Sequence, residues 1–495
     1  MNRKNAWLSI PFLAVIFLYF GSEEEFDAEK AYWNADFSAV LNHLDKQDFI
    51  GLPLELKLLW VECSARTANG YAAEQAVNGL LGERPHSSAL LAAAATVAFS
   101  LGRTREAERY LEGALSDHPA SERAVLAKVV LLIHQRRFAE AAVWYEKLTR
   151  LQPERCDADL VFLLGLRVYS ATLDMQKIQR LYERRAKKWA GSEKVSPDEL
   201  KAEARLFQAA AKSRLFRVAP LSSEVIIPFS KTKVGGHSNV ISYKGRDTKF
   251  NLLLDTGNLS GWTIHNPELL DILRSQRGGR VLLEIGAQPG LLEGYSVFTR
   301  KIGFRELTIT GLLGLYVPKP YPDFYDATLN PAFLQNCVVT LDFAGGRLIL
   351  RTKDEFEQDL KSQPPEEIGR FPWQGFRNVY LPAVCAGKEA LALIETGAQD
   401  VALRLDFARQ RGLPLLSKTR YPAGGESVAY HETRGRLTIG PFVFEREAAE
   451  VWPFSRLSDR ISGLTPDVVI GPQALSEGFA LSLDPFSNQV ILEKR

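Results

Sequence analysis

Two tripeptides, Asp255-Thr256-Gly257 and Glu395-Thr396-Gly397, constrain the fold of this chain more than any other feature of its sequence. Each directly follows a short and mostly apolar run, residues 250–254 in the first case and residues 390–394 in the second. Their acidic residues, at positions 255 and 395, lie 140 residues apart. This arrangement predicts two buried strands, each delivering one carboxylate into a tight turn that glycine makes possible.

Landmarks after the two tripeptides recur in the same order and at similar distances. Leu307-Thr308-Ile309 in the first copy corresponds to Leu437-Thr438-Ile439 in the second. Each copy closes with a strand-like run, ending at Leu341-Asp342 and Leu483-Asp484, 87 and 89 residues after the acidic residue of its tripeptide. The shared order predicts an internal duplication of one all-β plan. A charged segment with Pro364-Pro365 predicts a linker between the copies.

Both copies resemble the lobes of retropepsin-type aspartic peptidases. The shared marks are a strand that ends in the acidic tripeptide, a glycine-rich hairpin, a late hydrophobic element before a short helix, and a closing strand that ends in Leu-Asp. The resemblance covers residues 225–495 and implies two retropepsin-like β-barrel lobes. Because both lobes belong to one chain, as in pepsins, it implies an intramolecular pseudo-dimer.

The resemblance also implies a reaction and its residues. Members of this family hydrolyse peptide bonds with a water molecule that two carboxylates activate while they share one proton. The positions carried over are the catalytic carboxylates Asp255 and Glu395, the threonines Thr256 and Thr396 that would cross-link the two loops, and the glycines Gly257 and Gly397 that would allow close backbone approach.

Two hairpin flaps would close over the substrate. The resemblance places the first flap at Gly286 and Gly290 and the second flap at Gly424 and Gly425. Such flaps exclude water and hold an extended peptide in β-strand form through main-chain hydrogen bonds. The expected substrate is therefore a polypeptide.

Three positions depart from the family pattern. Glu395 stands where the family has Asp; one extra methylene moves the carboxyl by about 1.5 Å or requires a bent rotamer, and such a displacement can lower the rate about a hundredfold. Asn258 follows the first tripeptide, where the family favours Ala or Ser. Asn330 stands where the second copy has Gly471, the glycine of the late hydrophobic element.

Two alternatives to an active peptidase within one chain remain open. In the first, the lobes form a catalytically inactive pseudo-peptidase that acts as a peptide- or protein-binding adaptor. In the second, two chains pair through their Asp255 lobes, and the Glu395 lobes are structural. The covalent link between the copies argues against the second alternative, because it gives the two lobes of one chain a high effective concentration.

The N-terminal region has a helical composition and a repeat of 34 residues. Prolines recur at Pro85, Pro119 and Pro153, and alanines keep the same step at positions 73, 107 and 141. This period resembles the tetratricopeptide repeat, in which helix pairs stack into a solenoid. The resemblance implies that the repeats recruit a protein partner.

The sequence thus predicts a multidomain protein, helical first and all-β afterwards. Ser196-Pro197-Asp198-Glu199 has the pattern of an N-cap and capping box and predicts a helix between the two parts. The predicted segments are a signal peptide or signal anchor (1–27), helical repeats (28–190), a linker helix (191–222), the Asp-Thr-Gly lobe (223–352), a linker (353–372) and the Glu-Thr-Gly lobe (373–495).

The N-terminus has the layout of an export signal. Arg3 and Lys4 precede an apolar run over residues 6–20, and three glutamates follow at 23–25. The charge asymmetry predicts that the rest of the chain is exported, to a periplasmic or extracellular location. Large residues before the candidate cleavage sites favour a membrane anchor slightly over a removed signal peptide, although the run is short for a spanning helix. A buried N-terminal helix is the third interpretation.

Charge and cysteine content argue against several classes of function. Lys and Arg number 61 and Asp and Glu number 59, so the net charge of +2 does not support binding to nucleic acid. The four cysteines form no C-x-x-C pair and the chain has no H-E-x-x-H motif, so neither a metal site nor a cofactor is expected. The pairing state of the cysteines stays open.

Overall fold

A helical region comes first along the chain and a β-rich region follows it. The computed structural model describes residues 26–67, 69–156, 158–188, 196–219, 221–230, 238–244, 248–258, 260–283, 292–304, 307–318, 325–398, 400–423, 426–452 and 462–495. This is the multidomain order of helical and β parts that the sequence predicts. The described ranges contain no helix long and apolar enough to cross a membrane, and the predicted signal at 1–27 lies almost entirely outside them.

The helical region consists of eleven α-helices as far as it is described. They are α1 (Ala28–Trp33), α2 (Phe37–Leu44), α3 (Leu54–Arg66), α4 (Gly70–Glu83), α5 (Ser88–Ser100), α6 (Thr104–Asp117), α7 (Glu122–His134), α8 (Phe138–Leu151), α9 (Asp159–Ala171), α10 (Met175–Lys188) and α11 (Pro197–Ala210). Helices α3 to α8 pack as three successive pairs. Ala73, Ala107 and Ala141 are buried in the second helix of each pair, where small side chains let the helices approach closely.

In the described part of the β-rich region, more than half of the residues lie in strands, and four short α-helices lie between the strands. In chain order these elements are β1 (Arg217–Ala219), β2 (Val225–Pro228), β3 (Val240–Lys244), β4 (Lys249–Leu254), β5 (Trp262–Ile264), α12 (Pro267–Ile272), β6 (Gln276–Leu283), β7 (Leu292–Phe304), β8 (Leu307–Tyr316), β9 (Ala327–Leu329), β10 (Val338–Asp342), β11 (Arg347–Arg351), α13 (Lys353–Lys361), β12 (Ile368–Pro372), β13 (Val379–Cys385), β14 (Lys388–Ile394), β15 (Val401–Arg404), α14 (Leu405–Gln410), β16 (Ser417–Ala423), β17 (Glu426–Ile439), β18 (Phe442–Trp452), β19 (Val468–Ile470), α15 (Pro472–Leu475), β20 (Phe479–Asp484) and β21 (Gln489–Lys494).

Two of the sheets repeat one strand order. The first sheet has the order β3-β4-β9-β5-β8-β7-β6, and the second has the order β13-β14-β19-β15-β18-β17-β16. The directions agree as well, because β4 pairs with β9 in parallel and β14 pairs with β19 in parallel. Strands β5 and β15 likewise pair in parallel with β8 and β18. We call the parts that contain these sheets the first half and the second half of the β-rich region.

A third sheet joins the two halves. Its order is β12-β21-β20-β10-β11-β2, with β10 from the first half beside β20 from the second. Thr340 pairs with Ser482 at this junction, and their buried hydroxyl oxygens lie 2.7 Å apart. Residues 353–372, predicted as a linker, contain helix α13 and strand β12, and β12 is an edge strand of this sheet.

The end of β14, just before Glu395, is buried on both faces. Ala392 and Ile394 of β14 belong to the hydrophobic core of the β-rich region, whereas Leu391 and Leu393 pack with residues of the helical repeats. A strand that is covered on both faces needs apolar side chains at every position, which explains why residues 390–394 are all apolar. The helical repeats therefore cover the strand that leads to Glu395.

The turns between paired helices also face the second half. Gly102 has a φ of +76°, and a Cβ at this position would lie 3.2 Å from the Cβ of Leu391. Arg136 holds the same turn position one repeat later with a φ of +58°, in the left-handed region that favours glycine. Its guanidinium lies 3.8 Å from the ring centroid of Trp373, and its Nε donates to Asn488 Oδ1 at 2.6 Å. Arg136 thus stands where the preceding repeat has Gly102, and from there it binds the second half.

Helix α11 connects the helical region to the first half and packs on the hairpin of β6 and β7. It begins with the predicted capping box: Glu199 N donates to Ser196 Oγ at 3.2 Å, and Ser196 N donates to Glu199 Oε2 at 2.6 Å. A Cβ on Gly279 of β6 would lie 2.6 Å from the carbonyl oxygen of Glu199. Glycine at this position therefore lets the helix contact the base of the hairpin.

Glu203 of α11 is a buried acid at this contact. Its side chain is 4% exposed and accepts a hydrogen bond from Ser296 Oγ in β7. Burial raises the pKa of Glu203 to about 7, although the Ser296 hydrogen bond opposes the shift. A carboxyl whose pKa is higher in the folded chain stabilises the fold fully at acid pH. That contribution is lost as the pH rises from about 4 through about 7.

The variant Glu203→Gln should therefore show a stability difference from the parent that depends on pH. The neutral amide keeps an acceptor for Ser296 and carries no charge that burial penalises. We expect the free energy of unfolding of the variant, relative to the parent, to increase by about 2 kcal/mol between pH 5 and pH 8. Urea unfolding at both pH values measures it. A difference that is constant with pH would contradict the assignment.

Candidate active site

The two acidic tripeptides occupy equivalent places in the two halves. Asp255 follows β4, and its backbone N–H donates to Leu329 O of β9 at 3.0 Å. Glu395 follows β14, and its backbone N–H donates to Ile470 O of β19 at 3.0 Å. In each half the parallel neighbouring strand thus fixes the start of the turn that carries the acid.

The two threonines lock the turns together through four hydrogen bonds. Thr256 N donates to Thr396 Oγ1 at 2.9 Å, and Thr396 N donates to Thr256 Oγ1 at 3.1 Å. Each hydroxyl then donates across the junction at 2.7 Å, from Thr256 to Ile394 O and from Thr396 to Leu254 O. Both threonines are fully buried, so these bonds fix the two turns against each other.

Removal of one threonine hydroxyl should loosen this junction. In Thr396→Val, Thr256 N loses its acceptor and Leu254 O loses one donor, inside the protein. We expect a loss of about 2 kcal/mol in the free energy of unfolding, whereas Thr396→Ser, which keeps the hydroxyl, should lose less than about 1 kcal/mol. Urea unfolding compares the two variants. Equal losses would show that the methyl group, and not the hydrogen bonds, matters here.

The carboxyl groups of Asp255 and Glu395 meet at the centre of this junction. The two side chains lie close enough to each other for each carboxyl to affect the titration of the other. Gly257 N donates to Asp255 Oδ1 at 2.8 Å, and Gly397 N donates to Glu395 Oε1 at 3.3 Å. Burial, followed by the nearby charge of Asp255, raises the pKa of Glu395 well above its usual range. Glu395 therefore keeps a proton to a higher pH than an ordinary glutamate does, and the two carboxyls titrate as a pair.

The glycines leave space that the carboxyls fill. A Cβ on Gly397 would lie 2.7 Å from the carboxyl atoms of Asp255, and a Cβ on Gly257 would lie 1.7 Å from Glu395 Oε2. A side chain at either position would displace the opposite carboxyl. The difference also shows that the Glu395 carboxyl reaches further towards the opposite turn than the Asp255 carboxyl does, as its extra methylene requires.

Asn258 is turned away from the two carboxyls. Its Oδ1 accepts hydrogen bonds from Ser260 N at 3.1 Å and from Ser260 Oγ at 2.6 Å. Its Nδ2 lies 3.4 Å from Thr328 O. Asn258 therefore shapes its own turn and does not contact Asp255 through its side chain. Asn330, the other departure in the first half, is fully buried against the first turn.

Two hairpins stand at the predicted flap positions, one in each half. They are formed by β6 with β7 and by β16 with β17. The predicted flap residues Gly286, Gly290, Gly424 and Gly425 lie outside the described residues. Their contacts with a substrate stay a prediction.

Metal ligation finds no support in the described part of the chain, where no three His, Cys, Asp or Glu side chains are grouped so as to hold an ion. The four cysteines are Cys63, Cys156, Cys337 and Cys385; all are buried and none forms a disulfide. Burial raises the pKa of Cys337 to about 12, so this thiol stays protonated at neutral pH.

Comparison with known proteins gives two similarities. Residues 98–160 match the family model of the tetratricopeptide repeat, which confirms the predicted repeats over that segment. The chain is also similar to the crystal structure of an aspartic proteinase from Irpex lacteus, at 11% identity and a TM-score of 0.35, over 55% of this chain and 97% of that one. No match to the chain was found among curated proteins.

Proposed function

We propose that the chain is an aspartic endopeptidase whose two β halves are retropepsin-like lobes in a pseudo-dimer. The observation that carries the proposal is the contact between the carboxyls of Asp255 and Glu395, held by the reciprocal hydrogen bonds of Thr256 and Thr396. Two carboxyls that share a proton in a fixed pair are the chemical requirement of this reaction. The identical strand order of the two halves supports the same conclusion.

In the proposed reaction the two carboxyls have different tasks. Asp255 takes a proton from a water molecule, and the water oxygen forms a bond to the carbon of the scissile peptide carbonyl. Glu395, whose pKa is raised by burial and by the charge of Asp255, gives its proton to the carbonyl oxygen. The resulting diol collapses when the proton on Asp255 passes to the peptide nitrogen and the C–N bond breaks. One hydroxyl proton returns to Glu395, so the pair ends as it began.

The substrate we propose is an extended polypeptide. The hairpins of β6–β7 and β16–β17 extend from the two halves that carry the carboxyls. A peptide between two such hairpins can pair with strand edges through its main chain, which favours β conformation over a particular side chain. Cleavage within a chain is expected, and cleavage restricted to a chain end is not.

The repeats are proposed to contact a protein partner, as repeats of this kind do. Most residues of helices α5 and α7 are buried, and both helices contribute to a hydrophobic cluster that also contains residues of the second half. The exposed faces of α4, α6, α8 and α10 are therefore the surface that we propose for such a partner.

Export of the chain is the last part of the proposal. The apolar N-terminal run lies between Arg3 and Lys4 on one side and three glutamates on the other, and this layout supports export, with the chain anchored or released outside the cytoplasm.

A second candidate is an inactive adaptor that binds peptides. The reach of Glu395 towards Gly257 favours it, because this carboxyl occupies space that an Asp would leave open.

The test that decides between the two functions is hydrolysis of a randomised peptide library by the full-length chain, read by mass spectrometry from pH 3 to pH 8. Cuts that need Asp255 establish the peptidase. Their absence at every pH, with peptides still bound, establishes the adaptor.

A further inference from the structure

Two buried asparagines donate hydrogen bonds to backbone carbonyl groups of the turns that carry Asp255 and Glu395. The side chains of Asn239 and Asn330 are fully inaccessible to solvent. Asn239 immediately precedes β3, and its Nδ2 donates to the carbonyl oxygens of Leu254 and, at 3.0 Å, of Thr396. One amide thus bridges the strand that leads to the first acid and the turn that carries the second.

Asn330 likewise joins the first turn to a segment of the second half. Its Nδ2 lies 3.2 Å from Thr256 O, 3.0 Å from Asn258 O and 3.0 Å from Arg377 O. Its Oδ1 accepts a hydrogen bond from Ala332 N at 2.9 Å, which fixes the orientation of the amide. The first turn is therefore tied to the segment that enters the second half.

Neither amide has a counterpart in the second half. Val379 stands opposite Ile394 at the place of Asn239, and Gly471 follows β19 as Asn330 follows β9. The two amides therefore break the symmetry of the halves. Both amides belong to the first half and donate to carbonyl groups of the second half. Hydrogen bonds of this kind can fix the distance between the two halves.

We propose that Asn239 and Asn330 are positioning residues, whose amides fix the carbonyl groups of the two turn threonines and so hold the two acids where they share a proton. This inference rests on the proposed function. Each threonine carbonyl belongs to the residue directly after an acid, so a rotation of that peptide group moves the carboxyl with it. A displacement of about 1 Å in a reacting group can lower a rate about a hundredfold.

The test replaces each amide with the residue that the second half has at the same place. The variants are Asn239→Val, Asn330→Gly and the double variant, in the full-length chain. Asn378→Ala is the matched control, because Asn378 precedes β13 and its amide contacts Tyr380 Oη at 3.4 Å but neither turn. If a variant shows no cooperative melting transition, alanine at the same position replaces it.

Two readouts are taken for each variant. The first is kcat and KM on one peptide selected from the library. The second is the titration of the Glu395 carboxyl by carbon-13 NMR, with the signal assigned by its loss in Glu395→Gln. The NMR readout needs no turnover, so it decides the inference even where the parent proves to be an inactive adaptor.

We expect each single variant to lower kcat about tenfold or more with KM within about twofold, because the amides do not contact substrate. The titration midpoint of Glu395 should move down towards that of an ordinary glutamate, and further in the double variant. Asn378→Ala should change neither readout. An unchanged Glu395 titration in both single variants would overturn the proposal, and so would an equal shift in Asn378→Ala.

Discussion

Replacement of Asp255 with Asn is expected to lower kcat/KM for peptide cleavage by about a thousandfold or more. The amide has the shape of the carboxyl and can still accept the hydrogen bond that Gly257 N donates to Oδ1. It cannot take a proton from water, and it carries no charge to keep the proton on Glu395. The loss should therefore appear in kcat. KM should change little, because the substitution removes no contact that binds the substrate.

The measurement is the steady-state rate on a single library-derived peptide, at the pH where the parent is fastest. Asp271→Asn is the matched control, since Asp271 is an exposed residue of α12 in the same half. It should retain the parent rate. Cleavage by Asp255→Asn at more than a tenth of the parent rate would mean that another group activates the water.

The central part of the site is predictable because it is local in sequence. An apolar run followed by Asp-Thr-Gly specifies a buried strand and a turn without reference to any other part of the chain. The second tripeptide repeats that signal, so the pairing of Thr256 with Thr396 needs only the assumption that the two copies are related. The capping box of Ser196 and Glu199 is predictable for the same reason, since its two bonds join residues three positions apart.

The supporting residues are not predictable, because their partners are distant along the chain. Asn239 donates to a carbonyl 157 residues away, and Glu203 accepts from a residue 93 positions away. A lone Asn or Glu in the sequence gives no signal of such a partner. Asn330 gave a partial signal, as a departure from glycine, but its direction of contact depends on how the halves meet.

The position of the repeats likewise depends on tertiary packing. The run of residues 89–99, apolar except for Thr96, is typical of a repeat helix. Its composition does not tell which surface covers its second face. In the folded chain the end of this helix lies beside the second half: Phe99 shares a hydrophobic cluster with Leu391 and Leu393, and Gly102 lies next to Leu391. This part of the repeats therefore packs inside the molecule, beside the strand that leads to Glu395.

Replacement of Glu395 with Asp is expected to increase kcat. In the parent, a Cβ on Gly257 would lie 1.7 Å from Glu395 Oε2, whereas a Cβ on Gly397 would lie 2.7 Å from the Asp255 carboxyl. The shorter side chain of Asp withdraws the carboxyl from Gly257, so the first distance becomes more like the second. The pair then becomes symmetric about the junction of the threonines. Because a displacement of about 1 Å can lower a rate about a hundredfold, its removal should raise kcat about tenfold to a hundredfold.

The same variant should also shift the pH profile. The pKa of Glu395 is raised by burial and by the charge of Asp255, so the proton that the reaction needs is held to a higher pH than by an ordinary glutamate. Aspartate is intrinsically more acidic by roughly 0.4 units, and we expect the upper limit of the pH profile to fall by at least that amount. The rate against pH from 3 to 9 measures both effects at once.

Glu389→Asp is the matched control, because Glu389 is an exposed residue of the same strand, β14. It should leave both the rate and the pH profile unchanged. A fall in kcat for Glu395→Asp, with an intact pH profile, would show that the turns are set for the longer side chain and that the reach of Glu395 is part of the mechanism. In that case the two turns lie further apart than a symmetric Asp pair tolerates, and a second substitution that brings them together would be needed to restore the rate.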